Sequence, residues 1–96
     1  MEPLHPWAQN MLTVVATVSA KIAKELDNDT DEGVEVKPKK GHKIIAAFEK
    51  SGYVITNYGG HLGCYRIGQH DFGLTVDFRE DRSETGCYIL FYNNTL

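Results

Sequence analysis

The sequence is poor in cysteine and has no long apolar run. Two cysteines in 96 residues, Cys64 and Cys87, are too few for a disulfide scaffold or a four-thiolate zinc site. No apolar stretch approaches the ~20 residues that cross a bilayer. Charged residues at 24% and hydrophobic residues at 42% are ordinary globular values, which excludes disordered and fibrous classes. We therefore expect one domain spanning residues 1–96.

A secretion signal is also missing near the N-terminus. Such a signal has Lys or Arg ahead of its apolar stretch, and residues 1–10 contain neither. We therefore expect a cytoplasmic protein. Spaced at the helical period of ~3.6 residues, the apolar residues that follow fall on one face, which predicts an amphipathic helix over residues 7–26 with Pro6 in its first turn. The apolar face consists of Trp7, Met11, Val14, Val15, Val18, Ile22 and Leu26.

A second helix is predicted over residues 40–50. Gly52 is expected to follow its end, because Gly adopts the left-handed backbone conformation most freely. The residues that this helix should turn toward the core are Ile44, Ile45 and Phe48.

Beyond residue 53 the pattern changes to short β-prone runs between Gly-rich or polar turns. Connections this short join antiparallel neighbours. The sequence therefore predicts an α+β fold, ααββββ, in which two N-terminal helices pack on one face of a four-stranded antiparallel meander sheet. The four strands are expected at residues 53–58, 62–67, 72–78 and 86–92.

This strand order also predicts the redox state of the cysteines. The third predicted strand lies between Cys64 and Cys87, so their Cα atoms should be two strand spacings of ~4.8 Å apart. A disulfide requires less than about 7 Å. We therefore expect two free thiols.

The last predicted strand is apolar or aromatic on both faces. Cys87, Ile89 and Phe91 alternate with Tyr88, Leu90 and Tyr92, and two helices can cover only one set. The Tyr set should face outward, because Tyr joins a large apolar ring to a polar tip. This set is either an exposed face of high β-propensity or a docking surface. As a docking surface it would comprise Tyr88, Leu90 and Tyr92, flanked by Asp77, Glu80 and Asp81.

Charge is segregated along the chain. Residues 1–36 hold seven acids and two bases, residues 37–66 one acid and six bases, and residues 67–96 five acids and two bases. The formal net charge is −3. Two acidic blocks of this kind are typical of a protein that binds a basic surface, where complementary charge speeds association.

Metal and catalytic motifs are incomplete. Asp27, Asp29 and Asp31 have the 1-3-5 spacing of a calcium loop between two predicted helices, but Glu32 stands at the Gly position and Pro38 at the twelfth ligand. This segment is either a solvated acidic loop or a weak cation site, and no metal or cofactor is expected. The histidines lack zinc spacing, and no nucleophile motif is present.

One part of the chain resembles a known family. Residues 43–54, followed by Gly59-Gly60-His61, Tyr65-Arg66 and 74–76, resemble the core of HicA-type mRNA interferases. The resemblance implies a double-stranded-RNA-binding-like fold and RNA cleavage by His61. The residues that would contact phosphate are Lys39, Lys40, Lys43 and Arg66.

Two functions of different classes follow from the sequence. The first is a small, acidic, non-enzymatic binding protein of the inhibitor, immunity or anti-defence type, which occupies a basic surface of a larger protein. The alternative is an RNA-cleaving toxin that uses His61 as a general acid or base. We favour the first, because the chain is acidic overall and its chemistry-bearing residues do not form a catalytic motif. Neither nucleic acid nor membrane is the expected partner.

Overall fold

The computed structural model describes residues 6–28, 33–57, 64–69, 72–78 and 87–93. In these residues three helices and five strands follow one another in the order ααβαββββ. Within the same ranges, no helix has the length and apolar character needed to cross a membrane. The helices are α1 (Pro6–Val18), α2 (Ala20–Asn28) and α3 (Pro38–Lys50), and the strands are β1 (Val34–Val36), β2 (Ile55–Asn57), β3 (Cys64–Gln69), β4 (Phe72–Phe78) and β5 (Cys87–Asn93).

The sheet has the order β1-β5-β4-β3-β2, and every pair is antiparallel. The predicted α+β class and the antiparallel meander are confirmed for β2 to β5. The predicted four-stranded ααββββ arrangement is wrong, because β1 pairs with β5 and precedes α3. Val34 pairs with Ile89 and Val36 with Cys87. This pairing buries Val34, so a segment that reads as an acidic loop is a sheet edge.

The first predicted helix is two helices that meet at Ser19. The Ser19 N–H donates to the Val15 carbonyl at 2.9 Å, which closes the last turn of α1. The Ser19 hydroxyl accepts the Ile22 N–H at 3.3 Å, which is the N-cap contact that starts α2. The Thr17 hydroxyl also donates to the Val14 carbonyl at 2.6 Å, a bond that favours bending near this point. The predicted apolar face is nevertheless retained, with Met11, Val15, Ile22 and Leu26 buried.

Helix α3 starts at Pro38 rather than at residue 40, because the fixed φ of Pro suits a first helical turn. Its end confirms the role expected of Gly52, whose φ is +88°. The Gly52 N–H donates to the Glu49 carbonyl and the Tyr53 N–H to the Phe48 carbonyl, both at 3.1 Å. These bonds form a Schellman motif, and the Phe48 and Tyr53 rings meet edge to face at 5.1 Å.

The core lies between the helices and one face of the sheet. Alternate strand residues such as Ile67, Leu74 and Ile89 are fully buried on this face. Ile44 and Phe48 of α3 pack among them as predicted, with Ile45 at the margin. Of the described helices, none packs on the other face, where Thr75 and Leu90 are half-buried.

Helix α3 packs closely against the sheet at Gly41. A Cβ atom built on Gly41 would overlap the Cys87 Sγ atom and would lie 2.8 Å from Cε1 of Phe78. Gly41 is itself buried. A glycine in the second turn of a helix costs about 1 kcal/mol relative to alanine, so its position here reflects close packing rather than helix propensity.

We expect Gly41→Ala to destabilise the fold by about 1–3 kcal/mol, because the added methyl group overpacks the interface of α3 with β4 and β5. Helix propensity alone would instead give a gain of about 1 kcal/mol. Urea denaturation measures the difference, and Ala46→Gly at an exposed position of α3 calibrates the propensity term. Equal or greater stability of Gly41→Ala would show that α3 does not lie this close to the sheet.

Candidate functional site

The outer face of the sheet, meaning the face away from the helices, carries the three predicted docking residues whose side chains the structure describes, Asp77, Tyr88 and Leu90. Register pairs Asp77 with Tyr88 and Thr75 with Leu90 across β4 and β5. Tyr88 and Leu90 are half-buried, whereas their neighbours Ile89 and Phe91 are buried in the core. Tyr88 and Leu90 therefore lie on the outer face, and Cys87, Ile89 and Phe91 on the core face, as the sequence predicts.

Three of the predicted docking residues are described in part or not at all. The backbone of Tyr92 pairs with Gly73, at an outer-face register position of β5. Its side chain lies outside the described structure, as do Glu80 and Asp81.

Strand β1 adds an acidic residue that the sequence analysis missed. Glu35 pairs with Tyr88 from the side opposite Asp77, so a carboxylate residue occupies the neighbouring strand on either side of the Tyr88 ring. Glu35 is exposed and Asp77 is half-buried. The alternation Val34-Glu35-Val36 is the local signal for this strand, but it spans only three residues and follows directly on the acidic segment. We call Glu35, Tyr88 and Asp77 the acidic row.

The position of the Tyr88 ring depends on Gly33. This glycine has a φ of +78°, and a Cβ atom on it would lie 2.6 Å from Cε1 of Tyr88 and 2.7 Å from the Ile89 carbonyl oxygen. A side chain at residue 33 would therefore displace the ring or the start of β1. The missing side chain allows the aromatic ring to lie against the backbone that leads into the edge strand.

Arg66 lies on the outer face as well. It pairs with Thr75 and Thr56, while its neighbour Ile67 is fully buried beneath the helices. Arg66 and the lysines of α3 are therefore on opposite sides of the sheet. The phosphate-contact set implied by the HicA resemblance is not brought onto one surface, and His61 lies outside the described residues.

The calcium-loop spacing does not have the structural setting of an EF-hand. Asp27 is an exposed residue in the last turn of α2, and β1 rather than a helix follows the acidic segment. Asp29 and Asp31 lie outside the described ranges. Among the described residues, no group of three or more His, Cys, Asp or Glu side chains could hold a metal ion.

A cleft of about 350 Å³ lies on the helix side of the sheet, where α3 meets β2 and β3. Aromatic contacts support one wall: His42 stacks on Phe78 with ring centroids 4.4 Å apart and planes at 17°. Tyr65 meets the same Phe78 ring edge to face at 5.8 Å. The sequence did not single out this cleft. Its lining residues are His42, Ile45, Glu49, Ile55, Asn57 and Tyr65.

Cys87 is a buried free thiol. Burial, followed by the nearby Asp77 carboxylate, raises the pKa of this thiol from 9.0 to about 12. A thiol with so high a pKa is a poor nucleophile near neutral pH. The prediction of free thiols is confirmed for Cys87, and β4 lies between it and the β3 position of Cys64, whose side chain is outside the described structure.

Comparisons of the chain with protein-family models, with curated proteins and with solved structures find no match. The resemblance to HicA-type mRNA interferases therefore rests on the quoted residues alone.

Cys87 should resist thiol reagents in the folded protein. In a Cys64→Ser background, we expect no reaction with a disulfide reagent at pH 7 and full reaction after unfolding, because the thiol is buried and protonated. Absorbance of the released thiolate measures both reactions. Complete labelling of the folded protein within minutes would contradict the burial.

The same thiol predicts a pH dependence of stability. Between pH 9 and about 12 the folded state keeps the Cys87 proton that the unfolded chain loses, so the free energy of unfolding should fall as pH rises through this window. Below pH 9 the thiol should have no effect. Urea denaturation of the wild type and of Cys87→Ala should show a shallower alkaline decline in the variant. Parallel declines would contradict the raised pKa.

Proposed function

We propose that this chain is a small, acidic, non-enzymatic binding protein whose outer sheet face occupies a basic surface of a larger protein. The observation that carries this proposal is the acidic row, in which carboxylate residues flank a half-buried aromatic ring on a face that no described helix covers. The inhibitor, immunity or anti-defence type is the class that this chemistry fits.

The acidic row fits arginine-bearing surfaces. A guanidinium group stacks on an aromatic ring and donates paired hydrogen bonds to a carboxylate. Tyr88 offers the ring, and Asp77 and Glu35 offer a carboxylate on each adjoining strand. Lysine, as a flexible point charge, would gain less from this arrangement.

Apolar area beside the acidic row supplies the second requirement of a stable interface. Leu90 lies two residues from Tyr88 on the same face, opposite Thr75. Interfaces depend on a few central aromatic and apolar residues, which a polar rim shields from water. Leu90 and Tyr88 would form that centre, and the carboxylates would form the rim.

A cytoplasmic location is part of the proposal. Cys87 is free although it is one of two cysteines in the chain. Unpaired thiols are usual in reducing compartments, whereas secreted domains of this size tend to be cross-linked.

RNA cleavage through His61 is less well supported. Arg66 is separated by the sheet from Lys39 and Lys43. In addition, Gly-Gly-His-Leu stands in this chain where the family has Gly-Ser-His-His. A mixed-sequence RNA substrate tests this alternative directly, because cleavage that His61→Ala abolishes would replace the proposal.

Capture of the partner tests the proposed function. The full chain, immobilised, should retain a basic protein from host lysate, and Tyr88→Ala should weaken its affinity by about thirtyfold, since truncating an interface aromatic costs ~2 kcal/mol or more. Val54→Ala is the control. Val54 is 72% exposed and directly precedes β2, which is the edge strand at the opposite end of the sheet from β1. Equal affinity of the wild type and Tyr88→Ala would contradict the proposal.

Charge neutralisation tests the acidic row separately. Asp77→Asn with Glu35→Gln should slow association with the captured partner, and the effect should shrink at high salt, since exposed charges are screened beyond ~10 Å at 0.1 M. Asp27→Asn with Glu49→Gln removes the same charge from other surfaces. Identical association rates for the two double variants, measured by surface plasmon resonance, would exclude steering by the acidic row.

A further inference from the structure

The cleft beside α3 lies on the helix side of the sheet, and its lining differs from that of the acidic row. Its volume of about 350 Å³ lies within the range of small-ligand sites. Ile45 and Ile55 supply apolar residues to its lining, and Glu49, Asn57 and Tyr65 supply polar ones. A ligand that fits this lining would have a flat or apolar part and hydrogen-bonding groups at its edge.

His42 provides an aromatic platform at one end of the cleft. One face of its ring rests on Phe78, yet the residue remains exposed. Tyr65 braces Phe78 from the side, and Gly41 allows the Phe78 ring to lie against α3. Because the platform is held by packed side chains, a second ring could stack on it without reorganising the site. Stacking of this kind accepts any nucleobase.

Positive charge lies beside the platform. Residues 37–43 contain four lysines and no acid. Lys39 and Lys43, which are exposed on α3, precede and follow His42 within one helical turn. Exposed lysines of this kind attract phosphate, and the attraction depends strongly on salt.

Glu49 sets the direction in which such a ligand would lie. It follows His42 by seven residues on α3, or about 10 Å along the helix axis at ~1.5 Å per residue. A phosphate near Glu49 would meet a carboxylate, whereas an N–H or amino group of a base could donate to it. The base therefore belongs in the cleft, and the phosphate belongs near Lys39 and Lys43.

We propose that this cleft binds a nucleobase carrying a phosphate, either as a free nucleotide or within a single strand. The site shares no residue with the acidic row, so it is independent of the proposed protein partner. Three features that lie side by side support this site: the His42 ring stacked on Phe78, the polar cleft, and the lysines of α3.

Binding to the full-length chain tests the proposal with two probes. These are guanosine monophosphate, followed by amide chemical shifts, and a fluorescein-labelled single-stranded RNA octamer of mixed sequence, followed by anisotropy. Lys39→Glu with Lys43→Glu should weaken binding about tenfold or more, and His42→Ala about fivefold or more. Lys21→Glu with Lys24→Glu, which makes the same charge change on the exposed side of α2, should change it less than twofold.

The two probes separate the possible sources of the ligand. Equal affinity for both supports a free nucleotide, and binding of the octamer alone supports a strand. The proposal would be overturned if neither probe bound. An equal loss in the two lysine pairs would overturn it as well, because affinity would then follow the total charge of the chain and not the lysines beside His42. Circular dichroism of each variant confirms that the fold is retained.

Discussion

The described helices cover only one face of the sheet, and the rest of the structure depends on this asymmetry. Strands β4 and β5 alternate fully buried residues such as Val76 and Ile89 with half-buried residues such as Thr75 and Tyr88. The first set packs with the helices in a single core. The second set lies on the face that none of the described helices covers.

The close contact at Gly41 links this core to the cleft. The same Phe78 ring that would obstruct a Cβ atom on Gly41 supports His42 on one side and Tyr65 on another. The contact also places Cys87 against α3, so the burial that raises the pKa of its thiol arises from the same packing. A change in the helix-to-sheet distance would therefore alter stability, thiol reactivity and the cleft together.

Local patterns predicted the parts of the fold whose signal either extends over several residues or comes from a glycine that ends a helix. Strand β4 occupies the predicted residues 72–78, because apolar residues at every second position over seven residues are typical of a strand and do not fit a helix. The helix end at Gly52 follows from the one residue that adopts a positive φ without strain. The predicted buried faces of the helices were also correct.

The missed features depend on contacts between distant parts of the chain or on a single hydrogen bond. Strand β1 has three residues and forms because Val34 is buried against β5, so Glu35 was missed with it. The break at Ser19 depends on one capping hydroxyl. The cleft needs α3, β2 and β3 to meet, which no local period encodes. Gly41, a glycine inside a predicted helix, was the one local sign of close packing there.

The solvent exposure of Leu90 relative to Ile89 tests the asymmetry of the sheet most directly. Methyl NMR spectra recorded with a soluble gadolinium chelate, at two protein concentrations, measure the exposure of both side chains in the same molecule. The account predicts strong broadening of the Leu90 methyl signals and little broadening for Ile89, which is fully buried. Equal protection of the two residues at both concentrations would contradict it, because the outer face would then already be covered.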